Sequence, residues 1–145
     1  MDSVTVRWNG KRQFVGWDAA GHGVVMDSTP EHNGEGTGAR PIEVFLYALA
    51  GCTGMDVVGI LEKQRQRLTD FELHVQAEQR EEYPRYYPRI TVEYVLTGFG
   101  LSESAVERAL QLSQEKYCPV RQMLGPQVQI ETSYRIVEAE APHAG

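Results

Sequence analysis

Residues 40–58, "RPIEVFLYALAGCTGMDVV", decide the fold. Pro41 suits a first helical turn, and apolar residues run from it to Leu61 before the charged "EKQRQR" carries the expected helix to about Arg67. At about 1.5 Å per residue such a helix is roughly 40 Å long, about the width of a small domain. Between Val44 and Ile60 apolar or small residues fall at every helical angle. One sheet covers only one face of such a helix, so the rest needs another source of cover. A second copy of the chain supplies it if two of these helices pack together, with Ala48, Ala50, Gly51 and Gly54 allowing close backbone approach. A second helix of the same chain is the other available cover.

On the N-terminal side, "SVTVRW" puts Val4, Val6 and Trp8 on one strand face, "NGK" turns the chain into "RQFVGW", and "GHGVVMD" reads as a third strand of a meander. Residues 27–40 read as a loop and nothing more. On the C-terminal side, "FELHVQAE" alternates, with Phe71, Leu73, Val75 and Ala77 inward. The stretch "YPRYYP" connects it to "RITVEYVLTG", with Ile90, Val92, Tyr94 and Leu96 on one face. The segment "LSESAVERALQLSQEKY" is an amphipathic helix with a Ser104/Glu107 capping-box spacing, stopping at Cys118-Pro119. A last strand, "QVQIETSYRIV", alternates through Val128, Ile130, Thr132 and Tyr134. The order βββ-α-ββ-α-β indicates a single α+β domain over residues 1–145, with mostly antiparallel sheet around the long helix.

Composition narrows the partners. The 145 residues carry 14 Lys+Arg against 20 Asp+Glu, a net charge of −6, with no basic stripe interleaved with aromatics, so a nucleic-acid backbone is excluded as a partner. The start, "MDSVTVRWNG", lacks a signal peptide's basic region and apolar run, and no stretch reads as a membrane span, so a cytoplasmic protein is expected. Small molecules or proteins remain. Cys52 and Cys118, 66 residues apart with no CxxC, are not the pattern of a permanent staple in a reducing compartment. His22, His32, His74 and His143 make no ligand spacing with the two thiols, so no metal is expected. Asp56, one turn after Cys52, reads as an interhelical hydrogen-bond partner in preference to a catalytic acid. Cys118 either closes the second helix or caps a short "PVRQML" turn.

A helix bearing "RPIEVFLYALAGCTGMDVV", followed much later by "EKYCPVRQML", resembles the OsmC/Ohr family of thiol-dependent hydroperoxide reductases, and within it the YhfA-like branch. The resemblance spans nearly the whole chain and implies an intertwined homodimer with sites at the subunit boundary. It also implies roles: Cys52 as the peroxidatic thiol, Cys118 as the resolving thiol, an organic hydroperoxide as substrate, a lipoyl protein or thioredoxin as dithiol reductant, and no cofactor. An apolar wall of Phe45, Tyr47, Leu49 and Met55 around Cys52 favours a bulky hydroperoxide. A thiol on an apolar helix is pushed up by burial, so it needs a nearby cation. In the peroxidase branches an Arg and a Glu hold the thiolate, with the Glu directly after the helix-starting Pro; here Ile42 stands there and Glu43 one later. Glu43 and Cys52 are nine residues apart, about 180° round an ideal helix and roughly 13 Å along it, so Glu43 is expected to serve the Cys52 of the other subunit. Arg12 in the first hairpin is the favoured arginine and Arg40 the second choice. The shifted glutamate leaves a second functional reading: a non-catalytic stress-associated module that binds an apolar small molecule in the dimer cleft.

Overall fold

The structure, a computed structural model, describes residues 1–141. Contacts divide the chain into two compact units, the first Met1–Tyr47 and the second from Ala48 onward, with the boundary inside one long helix.

In the first unit, β1 (Val4–Trp8), β2 (Phe14–Asp18) and β3 (Gly23–Met26) form an antiparallel meander. The β1–β2 turn closes because Gly10 and Lys11 take positive φ, letting the Asn9 N–H reach the Gln13 carbonyl at 2.8 Å. The apolar face expected on β1 is bare: Val4 is 72% exposed and Trp8 61%. Residues 27–40 are more than a plain loop. Buried Asp27 gathers the segment by accepting from the Thr37 hydroxyl and from the N–H groups of Ser28, Glu35 and Thr37. Gly34 packs where a Cβ would lie 2.0 Å from the Ser28 carbonyl oxygen, so no side chain fits. The hydrogen bonds, first that of Thr37, hold the Asp27 carboxyl at about 2.

The long helix, α1, spans Pro41–Lys63. At its start the Arg40 carbonyl accepts from the N–H groups of Glu43 and Val44, and the Glu43 carboxylate accepts from the Arg40 N–H at 3.1 Å, half of a capping box. The helix ends four residues before the expected Arg67. Arg65 adopts φ 57°, its N–H bonds the Glu62 carbonyl and the Gln66 N–H bonds the Leu61 carbonyl, a Schellman closure made without glycine. Contrary to the sequence expectation, α1 is long and apolar enough by length and composition to cross a membrane, with a mean hydropathy of 1.8. Only 28% of that apolar stretch is buried. Leu49, Thr53, Gly54, Val57 and Leu61 bury one face, while Tyr47 and Met55 stand exposed.

In the second unit, β4 (Arg67–Ala77) pairs antiparallel with β5 (Arg89–Phe99), which pairs in parallel with β6 (Gln129–Glu138). The parallel pair qualifies the mostly antiparallel expectation. Its physical basis is the crossover between β5 and β6, which contains helices and brings the chain back to start at the same end of the sheet. The buried side chains include Ile90, Val92, Tyr94 and Leu96 of β5, Val57 and Leu61 of α1, and Val106, Ala109 and Leu110 of α2 (Glu103–Leu112). Each Val, Leu or Ile side chain among them stabilises the fold by about 1.5–3 kcal/mol. The α2 cap is Ser102, whose hydroxyl accepts from the Ala105 N–H, and not the expected Ser104. Val128, expected within the last strand, precedes it.

The Asp27 knot gives a pH signature. A carboxyl held at about 2 when folded, against an ordinary 3.8, stabilises above pH 4 and loses that contribution as pH falls through 2. Thermal melts followed by circular dichroism should show an acid-induced loss of stability between pH 4 and 2 that flattens in Asp27→Asn. The variant should also be less stable than the parent at pH 7.

Candidate thiol site

Cys52 lies on the part of α1 within the second unit, and Cys118 reaches it from the β5–β6 crossover. Two local features deliver Cys118. The turn after α2, Ser113–Tyr117, is a π-helix, so the Cys118 N–H bonds the Ser113 carbonyl five residues back at 2.9 Å. Pro119 then disfavours helical backbone at the residue before it, and Cys118 takes an extended conformation that caps α3 (Pro119–Gln122). Both uses the sequence left open are observed: Cys118 closes the helical segment before it and caps the short turn after it.

The two sulfurs stand 3.2 Å apart. Cys118 is fully buried and Cys52 half-buried. The Cys118 sulfur is met by the Thr53 hydroxyl at 3.6 Å and the Arg121 N–H at 3.4 Å. Thr53 also hydrogen-bonds Tyr94, whose phenol is pushed up to about 12, mainly by burial. Asp56, one turn after Cys52, accepts from the buried Ser113 hydroxyl at 2.9 Å, the hydrogen bond between helical segments that its spacing suggested. Burial first, and then contact with Cys118, push the Cys52 thiol above its ordinary value, against a pull from the Val120 N–H; the negative charge of Asp56 adds the smallest push in the raising direction. Beside Asp56, an open groove of about 230 Å³ is lined by Met55, Gly59, Ile60, Lys63 and Tyr117.

Donor atoms of Cys52, Asp56 and Cys118 lie within 4.8 Å of one another, close enough to meet one ion. The arrangement fits zinc poorly. It offers three ligands, and thiolates about 2.3 Å from a tetrahedral zinc stand about 3.7 Å apart, wider than the observed contact. Among the described residues, His22 pairs with Asp18, His32 meets Thr29 and His74 pairs with Glu72; His143 is outside them.

The remaining expected site residues are arranged differently from the two thiols. Glu43 is joined to Arg40, the second-choice arginine, through both the main-chain N–H and Nε at 3.0 Å. Those contacts hold the Glu43 carboxyl below its ordinary value. Arg12 sits in the exposed β1–β2 turn with its guanidinium on the Lys11 carbonyl. Leu49, expected in the apolar wall, belongs to the core instead. Thr53 and Ser113 were missed in the sequence: a residue beside Cys52 carried a weak signal, but one five before Cys118 faces it only across a π turn.

Residues 34–133 match the family described as OsmC-like protein. The chain belongs to the OsmC-like family. It is 41% identical over 134 residues to protein YhfA of Escherichia coli (strain K12), covering 92% of this chain and 97% of that protein. A hypothetical protein from Aquifex aeolicus VF5 superposes with TM-score 0.84 at 29% identity, over 97% of this chain and 98% of that one. The organic hydroperoxide resistance protein OhrB of Bacillus subtilis shares the fold at TM-score 0.64 and 20% identity, over 93% of this chain and 98% of that one.

The sulfur contact makes a direct prediction. Closing 3.2 Å to a bond of about 2.05 Å needs only small side-chain motion. Diamide should therefore consume both thiols of each chain and produce an intrachain disulfide, read as a peptide linking Cys52 to Cys118 in a non-reducing digest. Chains crosslinked to one another as the main product would contradict the geometry.

Proposed function

We propose that this protein is a thiol-dependent reductase of organic hydroperoxides, acting as a homodimer in the cytoplasm. The observation that carries the reading is the contact between a half-buried Cys52 and a fully buried Cys118. The Cys52 thiolate attacks one peroxide oxygen; the O–O bond breaks, the alkoxide leaves and takes a proton, and Cys52 becomes a sulfenic acid. Cys118 then displaces that hydroxyl as water to give the disulfide. A dithiol, from a lipoyl protein or thioredoxin, supplies two electrons and two protons to restore both thiols. The groove beside Met55 and Ile60 gives an apolar tail somewhere to lie. Membership of the OsmC-like family supports the assignment, and so does the fold shared with the organic hydroperoxide resistance protein OhrB of Bacillus subtilis.

Within one chain the surroundings of Cys52 oppose the thiolate. That observation favours the second reading, a module that binds an apolar small molecule without turnover. A cation from the partner subunit reconciles the site with catalysis, and exposed Tyr47 and Met55 on α1 give a second copy an apolar surface to cover. We assign the cation to Arg40, which Glu43 holds, with Arg12 as the alternative. The pairing acts across the dimer.

Cumene hydroperoxide should convert the reduced protein to its disulfide. Cys52→Ser should abolish the reaction, while Cys118→Ser should keep the first oxidation and stop at a sulfenic acid trapped by dimedone. In the same preparation, iodoacetamide alkylation of Cys52 should titrate below the free-thiol value of about 8.5. Titration above it, with no peroxide turnover, would favour the binding module.

The dimer has its own test. Sedimentation at micromolar concentration should show no compact monomer. Mixing inactive Glu43→Ala with inactive Cys52→Ser subunits should restore turnover at one of the two sites of each heterodimer, where an intact Glu43 from one chain serves an intact Cys52 of the other. Heterodimers with no recovered activity would reject the arrangement across subunits.

A further inference from the structure

Asp56 is placed to do more than hold Ser113. Its carboxylate oxygen and the two sulfurs lie within 4.8 Å of one another, and the Ser113 hydroxyl fixes it through Oδ2 at 2.9 Å. One hydrogen bond leaves a carboxylate with acceptor capacity to spare. The resolving step has a proton to move. Cys118 must lose one to become the nucleophile, and the hydroxyl on Cys52 must gain one to leave as water. Both sites are sulfur atoms next to Asp56, and Cys118 is shut off from solvent. The nearby Tyr94 phenol, pushed up to about 12, is a poor shuttle at neutral pH, and the Thr53 hydroxyl is already directed at Cys118.

We propose that Asp56 is the proton carrier of the resolving step, taking the proton from the Cys118 thiol and delivering it to the hydroxyl that leaves the Cys52 sulfenic acid. The inference deepens the hydroperoxide-reductase reading and rests on it. The balance is closed: the Cys118 S–H and Cys52 S–OH bonds break, the S–S bond and one O–H bond of water form, and Asp56 ends as the carboxylate it began as. Cys118 is oxidised and the sulfenic sulfur reduced, so no further reactant enters. The carboxylate oxygen and both sulfurs already lie within 4.8 Å of one another, and contacts between catalytic groups are commonly long before the reacting state forms.

This role predicts different effects on the two steps. The Asp56 charge is the smallest of the contributions that oppose the Cys52 thiolate, so removing it should not slow the first attack, whereas removing the carrier should slow resolution. Asp56→Asn is the informative variant because its amide oxygen still accepts from Ser113 while the side chain cannot carry the proton. With cumene hydroperoxide in stopped flow at pH 7, sulfenate formation should be at least as fast as in the parent. Disulfide formation should be slower by about 100-fold, within the usual range for a lost general acid–base group. Dimedone should then trap a Cys52 adduct that the parent barely accumulates, and Asp56→Glu should restore part of the second rate. Resolution in Asp56→Asn at the parent's rate overturns the proposal, and so does an equal slowing of both steps, the mark of a structural role. A parent protein that forms neither sulfenate nor disulfide overturns the reductase reading and, with it, the step assigned to Asp56.

Discussion

The arrangement of the second unit turns on a sulfur–sulfur contact of 3.2 Å between a helix and the crossover that returns beside it. Making it requires a parallel β5–β6 pair, since that topology routes the chain through α2 and the following turns before it re-enters the sheet. It also requires Cys118 to leave the helix where it does, which the π turn and Pro119 arrange. The burial of the two sulfurs is unequal. Cys52 is half-buried, whereas Cys118 is sealed among core side chains and meets Cys52 directly. Access thus separates the thiols before any difference in reactivity does.

The second physical theme is charge. Asp56 stands one turn from Cys52, and its negative charge joins burial and Cys118 in opposing the thiolate. A site built for attack alone would leave such a carboxylate out. Its presence is economical under the proposed mechanism, in which the carboxylate serves a later step and a partner's cation offsets its cost to the first. Tyr47 and Met55 of α1 stand exposed, and it is on such apolar surface that the proposed dimer rests.

Much of this was legible in the order of residues. The alternation of β4 and β5 marked their buried faces because a half-covered sheet leaves a period of two, and Ile90, Val92, Tyr94 and Leu96 follow it. The all-round apolar character of α1 marked a helix that one sheet does not cover. Other features left no periodic trace. Arg65 closes α1 with a left-handed backbone that glycine usually supplies, so the charged run after Leu61 read as more helix. The Asp27 knot gathers donors up to ten residues away, a pattern no local propensity records. Glu43 was visible as a helix-start acid, but its partner was set by the half capping box, which selects Arg40 over Arg12. Ser113 was hidden because a spacing of five falls on no α-helical face.

The π turn at Ser113–Tyr117 amounts to one residue more than an α-helical turn would hold. The wide turn absorbs that residue and sets the length of chain between Ser113, which holds Asp56, and Cys118, which meets Cys52. Removing any one of residues 114–117 would shorten that span even if every side chain at the site were kept. The pairing of the two thiols is therefore a matter of chain length as well as residue identity, and a single-codon deletion in this turn would strain it without touching either cysteine.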